Sequence, residues 1–380
     1  MLKCSACSKE YNESSLLWRC PCGGYLVLEE EDPVSLPGSL DSRSFSQWRY
    51  REILPVAEDR NIVSMGEGLT PVVSQKWRNR NVLFKLDYLC PTGSYKDRGI
   101  SLLVSKLKEL GVDHLVEDSS GNAGASMAAY CSRAGICCEI FVPEYTSPGK
   151  CVQIEMYGAK LKRIKGSRED TTRVAEEASS SRYYASHNWS PYFVHGIKSL
   201  AYEIHEQIGD FLPDHIVVPV GQGSLVMGLF QGFSELKRAG RIKDIPSLIA
   251  VQSSRCAPLF KAWKEGLNRP FAIKKQETAA EGISSADPVK GDVVIGNVKE
   301  SGGKFVTVDD SQVWSSLYDL ACAGFYVEPT SAVVGAALDT ILTDGTVKES
   351  ATVMAILSGS GLKATEKILH HRQSEKAPGK

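Results

Sequence analysis

The sequence predicts an α/β protein built on mostly parallel sheets, and three observations carry that prediction. Short β-rich runs alternate with helical patterns from Asp113 onward. Later runs such as SLIAVQS and ATVMAILS are continuously apolar, as strands covered on both faces must be. Gly- and Ser-containing turns follow several of these strands, at the carboxyl ends where open α/β sheets hold ligands. The 380 residues, 42% hydrophobic and 23% charged, suit about two domains with sizeable cores. A net charge of −1 speaks against a nucleic-acid or anionic-membrane partner, because both need a basic excess. No apolar run reaches membrane-spanning length, and MLKCSACSKE does not read as a signal peptide. Eleven cysteines, an odd number, fit reduced thiols in a cytoplasmic protein better than a disulfide framework.

In chain order, Cys4 and Cys7, then Cys20 and Cys22 ahead of two glycines, outline a zinc-ribbon-like module over residues 1–28. Its second pair is one residue shorter than a standard knuckle, so a degenerate knuckle held by packing is the alternative to structural zinc. Either way the module is expected to stand remote from catalysis. The segment from about Pro33 to Arg60 mixes Pro, Ser and charge without a period and reads as an arm or connector. HLVEDS then passes into AGASMAAYCSRAG, CCEIFVP into PGKCVQIEMYG, KLKRI into REDTTRVAEEASS, and IVVPV into SLVMGLFQGFSELKRAG. Each is a strand followed by a helix. The tail, residues 367–380, has the composition of a disordered segment.

Four loops hold the candidate chemistry. Gly221, Gln222, Gly223, Ser224 and Leu225 follow IVVPV and open a helix with bare backbone N–H groups, a cradle for a phosphate. The third glycine of a dinucleotide fingerprint would fall at Val226, so that reading is excluded. Ser119, Ser120, Gly121 and Asn122 carry an amide into a helix start, with helix capping as the bland alternative for the two serines. Ser358 to Leu362 follow ATVMAIL. The fourth loop, PTGSYKDRG, places Lys96 at a helix start beside Arg98, where its ammonium is disfavoured; this is how a lysine becomes a Schiff-base nucleophile. The alternative is a solvated lysine paired with Asp97. His187 and His195 are either acid–base groups or structural residues.

PTGSYKDRG, SSGN, VGQGSL and SGSGLK, in this order, with Gly66–Glu67–Gly68–Leu69–Thr70–Pro71 upstream, resemble the fold type II pyridoxal-phosphate enzymes and their threonine synthase-like branch, from about residue 62 to 365. The resemblance implies a tryptophan synthase β-like fold with two doubly wound parallel-sheet domains. Residues 29–90 and 206–366 would form the large cofactor-binding domain and 91–205 the small one. It further implies that Lys96 carries pyridoxal 5′-phosphate and shuttles protons, while Asp97 and Arg98 secure its helix. Asn122 would bond the ring oxygen, Gly221 to Leu225 the phosphate, and Ser358 would face the ring nitrogen. Ser119, Ser120 and Gly121 would meet the substrate carboxylate.

In relatives an N-P-[YF]-R segment binds the substrate phosphate, but here Ser190–Pro191–Tyr192–Phe193 puts a phenylalanine at the arginine position. Ala123, Gln222 and Ser358 also depart from the usual threonine, asparagine and threonine. These changes bear on the substrate rather than the cofactor, with Lys198 the nearest cation to take over the phosphate. The expected activity is threonine synthase, a lyase of threonine biosynthesis acting as a homodimer. The alternatives are a serine/threonine dehydratase or a β-replacement enzyme such as cysteate synthase, and more distantly a non-catalytic protein of the same fold.

Overall fold

The computed structural model describes residues 1–29, 39–209 and 211–376. At the N-terminus, β1 (Leu2–Cys4), β2 (Glu10–Tyr11) and β3 (Leu26–Leu28) form a small antiparallel sheet with β1 in the middle. The part of the connector that is described does more than connect: Trp48, Tyr50, Ile53 and Leu54 are buried in the main core. A hairpin follows, β4 (Val72–Trp77) and β5 (Arg80–Lys85), closed by Arg78 and Asn79. Both turn residues have positive φ, as a two-residue hairpin turn demands.

The chain then leaves this hairpin to build a second sheet. α1 (Lys96–Glu109), β6 (His114–Glu117), α2 (Asn122–Ala134), β7 (Cys137–Pro143), α3 (Pro148–Met156), β8 (Lys160–Ile164), α4 (Arg168–Ala178) and β9 (Tyr183–Tyr184) alternate as the sequence predicts. Their four strands are all parallel, in the order β8-β7-β6-β9. α5 (Pro191–Ile197) and α6 (Ser199–Ile208) lead back.

The first sheet is completed by β10 (His215–Pro219), α7 (Ser224–Arg238), β11 (Ser247–Ser253), α8 (Pro258–Lys264), α9 (Gly291–Glu300), β12 (Lys304–Val308), α10 (Asp310–Cys322), α11 (Pro329–Ile341) and β13 (Val353–Ile356). Its order is β12-β11-β10-β13-β5-β4, parallel except for the β4–β5 hairpin. In β13, Val353 to Ile356 are all buried, which is why ATVMAIL shows no alternation.

The expected disordered tail is corrected over 367–376. α12 (Thr365–Lys376) is helical, pinned by stacking of His371 on Trp314 at 3.8 Å, by an ion pair from Lys367 to Glu281 at 2.6 Å, and by burial of Ile368. Composition misses contacts made to distant residues. The last residues, 377–380, lie outside the described set. Among the described residues no helix is long and apolar enough to cross a membrane.

Candidate active site

Helix α1 starts between the two sheets with Lys96 as its first residue, and each residue after Lys96 has a separate supporting role. Asp97 is fully buried and accepts bonds from the Thr92 backbone N–H (2.7 Å), the Thr92 hydroxyl (2.6 Å) and the Ser126 hydroxyl (2.6 Å), tying the loop and α2 to α1. Burial raises its carboxyl to about 6 against those bonds. Arg98, also fully buried, donates to both oxygens of Asp87 (2.7 and 2.9 Å) and both of Glu203 (2.7 and 2.9 Å). Burial alone would raise the Glu203 carboxyl, but Arg98 and Lys85 outweigh it and hold Glu203 low. Gly99 is required by close approach, since a Cβ there would sit 2.4 Å from the Phe193 ring. At Gly196, on the facing helix, a Cβ would sit 2.3 Å from the Arg98 carbonyl.

The opposite side of this helix start is open. Lys96 is half-buried, with Nζ over the rings of Tyr95 (4.8 Å) and Phe193 (5.2 Å). Tyr95 links it to two other loops: its backbone N–H donates to the Ser358 carbonyl at 3.0 Å, and its hydroxyl lies 3.0 Å from Ser224 Oγ. A bridge between Ser94 and Gly359 reinforces the first link. Asn122 reaches the same place, donating from Nδ2 to Glu328 Oε1 at 2.9 Å, while the Glu328 N–H donates to the Gly359 carbonyl at 3.0 Å. The structure therefore brings together Lys96, Asn122, Ser224 and Ser358.

The loop opening α7 packs so closely on its neighbours that its two glycines have no room for side chains. A Cβ at Gly223 would fall 2.1 Å from Val294, and one at Gly221 2.8 Å from the Ile283 Cα. Gly223 also has φ +87°, and the first N–H groups of α7 have no intrahelical acceptor. The neighbouring Ser94 hydroxyl is buried without a partner. Such a cradle of backbone donors suits a phosphate monoester. At α2, Gly121 is the N-cap and no side chain caps the helix, so Ser119 and Ser120 leave that N-terminus open. Gly124 must lack a side chain, because a Cβ would meet the Ser119 carbonyl at 1.8 Å.

Two residues expected at the site behave differently. Lys198 is buried and pairs with Glu235 at 2.8 Å, a carboxylate that also accepts from the Tyr202 hydroxyl at 2.5 Å. Glu235 lies three turns down α7 from the cradle, roughly 16 Å along the helix. Lys198 thus packs away from the loops, and the expectation that it faces the substrate is corrected. Gln222 turns its amide from the cradle, donating to Ser285 Oγ (2.8 Å) and accepting from the Val289 N–H (2.9 Å).

His187 is buried, with Nδ1 3.1 Å from Glu117 Oε1 and its ring edge-on to Phe193 at 5.3 Å. Burial, then the charges of Lys96, Arg168 and Lys290, push its pKa well down, so the ring is neutral. His195 is also buried, beside Gln231. Sequence reasoning missed Glu328, Tyr95 and Lys290 as site residues. For Glu328 a signal existed, its place just before a proline at a helix start; for Lys290 there was none.

The four N-terminal sulfurs lie within 4.8 Å of one another, with Cys4 and Cys22 3.4 Å apart and Cys7 and Cys20 3.6 Å. These spacings suit four thiolates about one tetrahedral ion with Zn–S bonds of about 2.3 Å. The short second knuckle closes because Gly23 takes φ +92° and a Cβ at Gly24 would meet Cys4 Sγ at 2.6 Å. The module is not remote from the cleft. Trp18 packs edge-on against Tyr184 (4.9 Å) and Trp189 (5.4 Å), and Lys290 Nζ lies over the Tyr25 ring at 5.5 Å.

Comparison with known proteins matches residues 63–359 to the family model described as pyridoxal-phosphate dependent enzyme. A threonine synthase of Methanocaldococcus jannaschii is 32% identical over 374 residues, 95% of this chain and 92% of that protein. A threonine synthase of Methanosarcina acetivorans is 31% identical over 379 residues, 97% and 93% of the two chains. Among solved structures, maize serine racemase superposes with TM-score 0.67 at 21% identity, covering 80% of this chain and 93% of that one. The processed form of threonine deaminase isoform 2 from Solanum lycopersicum gives 0.68 at 18%, covering 90% and 99%.

Proposed function

This chain belongs to the pyridoxal-phosphate-dependent enzymes, in their fold type II, threonine synthase-like branch, and from that premise we propose that it is a threonine synthase converting O-phosphohomoserine and water to threonine and phosphate. The observation that carries this reading is Tyr95, whose backbone and hydroxyl tie Lys96 to the Ser358 loop and the Ser224 cradle at once. Bound there, pyridoxal phosphate supplies an electron sink for negative charge developing on substrate carbon. The chain's own residues do the rest. The N–H groups of Gly221 to Leu225 would hold the cofactor phosphate at the start of α7. Asn122 would orient the ring through its amide, which Glu328 fixes. Ser358 would present a neutral hydroxyl to the ring nitrogen, a partner that favours elimination and replacement over transamination.

Ser119, Ser120 and Gly121 receive the substrate carboxylate at the open start of α2, with no competing cap. Lys96 would anchor the cofactor and then carry protons, taking one from the substrate Cα and returning protons along the substrate from the same Nζ. Phe193 supports a second reading, a β-elimination or β-replacement on serine, threonine or O-phosphoserine, because an apolar ring stands where relatives have an arginine. The kcat/KM for O-phosphohomoserine against those three amino acids tests the choice. A clear preference for O-phosphohomoserine, with stoichiometric phosphate and threonine, is expected; faster turnover of serine or threonine would replace this reading with the second.

The same proposal extends to the rest of the molecule. The four thiolates hold one structural zinc. Exposed Leu89, Tyr326 and Leu362, close to the back of the Lys96 loop, offer an apolar face for a homodimer. The thiol content suits a cytoplasmic protein.

A further inference from the structure

A cation from outside the recognised motifs lies against the start of the segment that lacks the arginine. Lys290 is 5% exposed, and its Nζ donates to the carbonyl of Ser190 at 3.3 Å, in the same Ser190–Phe193 segment that lost the arginine. Its aromatic neighbour Tyr25 covers it from the N-terminal module. The Ser190 hydroxyl, 3% exposed, has no partner, and Arg168 uses one guanidinium nitrogen on Asp118 at 2.9 Å while Nη1 is buried with none. Lys290, Arg168 and Lys96 all act on the charge of His187, so three cations from three elements converge there. Gln222 fixes this arrangement, because the Val289 N–H that it accepts belongs to the residue preceding Lys290. The amide that departs from the family pattern therefore ties the cofactor cradle to the loop that delivers the lysine. A buried ammonium that acts on the same histidine as the reacting lysine, with the unpartnered hydroxyl of the serine it bonds, forms a site for an anion.

We infer that Lys290, with the Ser190 hydroxyl, binds the anionic leaving group of a phosphorylated amino-acid substrate, and that Gln222 positions this lysine. The inference rests on the threonine synthase reading for the identity of the substrate but not for the existence of the anion site. Lys290 takes the place of the arginine at position 193, and charge-assisted bonds to a buried phosphate give it that capacity. Lys198, paired with Glu235, does not contribute.

The test uses the holoenzyme with inorganic phosphate as probe in calorimetry, together with KM values for O-phosphohomoserine, O-phosphoserine and serine. Lys290→Met, an unbranched apolar replacement, is expected to weaken phosphate binding and raise KM for the phosphorylated substrates about ten- to a hundredfold relative to serine, with Lys290→Arg restoring most of the loss. Ser190→Ala, which keeps every charge, is expected to cost about three- to tenfold in phosphate affinity and serves if the lysine variant does not fold. Gln222→Asn is expected to weaken phosphate binding and to raise KM for the phosphorylated substrates relative to that for serine. Unchanged phosphate affinity in both Lys290→Met and Ser190→Ala, or absence of phosphate binding by the parent at millimolar concentration, overturns the inference and leaves the threonine synthase reading to its own test. Lys290-dependent phosphate binding without turnover of O-phosphohomoserine keeps the anion site and removes that reading.

Discussion

The two sides of the start of α1 differ in one respect that separates fold from function. On the side facing Asp87 and Glu203, charged groups are deeply buried and matched: Arg98 is doubly bonded to both carboxylates, and Glu67 accepts from Trp48 Nε1, the Ser101 hydroxyl and the Tyr130 hydroxyl. On the side facing the cleft, Ser94 Oγ, Ser190 Oγ, Glu117 Oε2 and Arg168 Nη1 are buried without partners. Native proteins seldom leave buried polar atoms unmatched, so four of them on one side mark a place for ligand. Lys96 and Arg98, two residues apart, fall on opposite sides of that division.

The largest expected effect tests the open side. Lys96→Ala is expected to lower turnover by at least about 10²- to 10⁴-fold, the range of a lost acid–base group, while the urea midpoint stays within reach of the parent. Borohydride reduction followed by peptide mapping should label Lys96, and a label on another lysine would break the comparison at its centre. Arg98→Met tests the matched side. It leaves Asp87 buried without a counter-cation and Glu203 with Lys85 alone, and is expected to cost about 3–5 kcal/mol of stability by urea unfolding. A loss below about 1 kcal/mol would mean that the network is not what holds α1.

A smaller effect concerns pH. Burial lowers the Lys290 ammonium to about 8, so it is charged below that pH and neutral above it. Burial is the cause of that shift; the groups that face Lys290 are the Tyr25 ring over Nζ, with Asp292 acting on that tyrosine, and neutral His187, on which Lys96 and Arg168 also act. Phosphate affinity of the holoenzyme is therefore expected to be full between the second ionisation of phosphate and about pH 8 and to fall up to about tenfold per unit above it, whereas the affinity for serine should not follow that limb. A phosphate affinity flat to pH 9.5 would separate Lys290 from the anion. The smallest effect belongs to the N-terminal module. Metal analysis should find about one zinc per chain, and chelation should loosen Tyr25 from Lys290, raising KM for phosphorylated substrates only a few-fold, the size of one cation–π contact. Loss of cofactor on chelation would contradict that ordering.

What was legible in the sequence follows the same division. Strands such as IVVPV and ATVMAIL could be read because burial on both faces leaves an unbroken apolar run; Asn122 and Ser358 could be singled out because each follows a strand, and Lys96 because it opens a helix beside Arg98. Arg98 was legible as a support, but its partners Asp87 and Glu203 were not, since nothing local announces a contact made across the fold. Lys198 misled for that reason: beside a recognisable motif it looks available, and only the structure supplies Glu235. Lys290 was invisible because it sits in an irregular loop, where neither period nor motif distinguishes it.

The pairing of β5 with β13 also sets the order in which the molecule can be made. Met354 lies against Leu83, although almost the whole of the chain between them must be synthesised before they can meet. At about 5–20 residues per second the ribosome holds β5 without this neighbour for tens of seconds, while β6 to β9, all contained within that stretch, can already pair. The hairpin β4–β5 gives the waiting strand a partner on one edge, leaving its other edge as an unpaired row of N–H and C=O groups. The Ser358 loop, which follows β13 and locks onto Tyr95, closes last, so nascent chains are vulnerable to edge-to-edge aggregation until moments before they become able to take up cofactor.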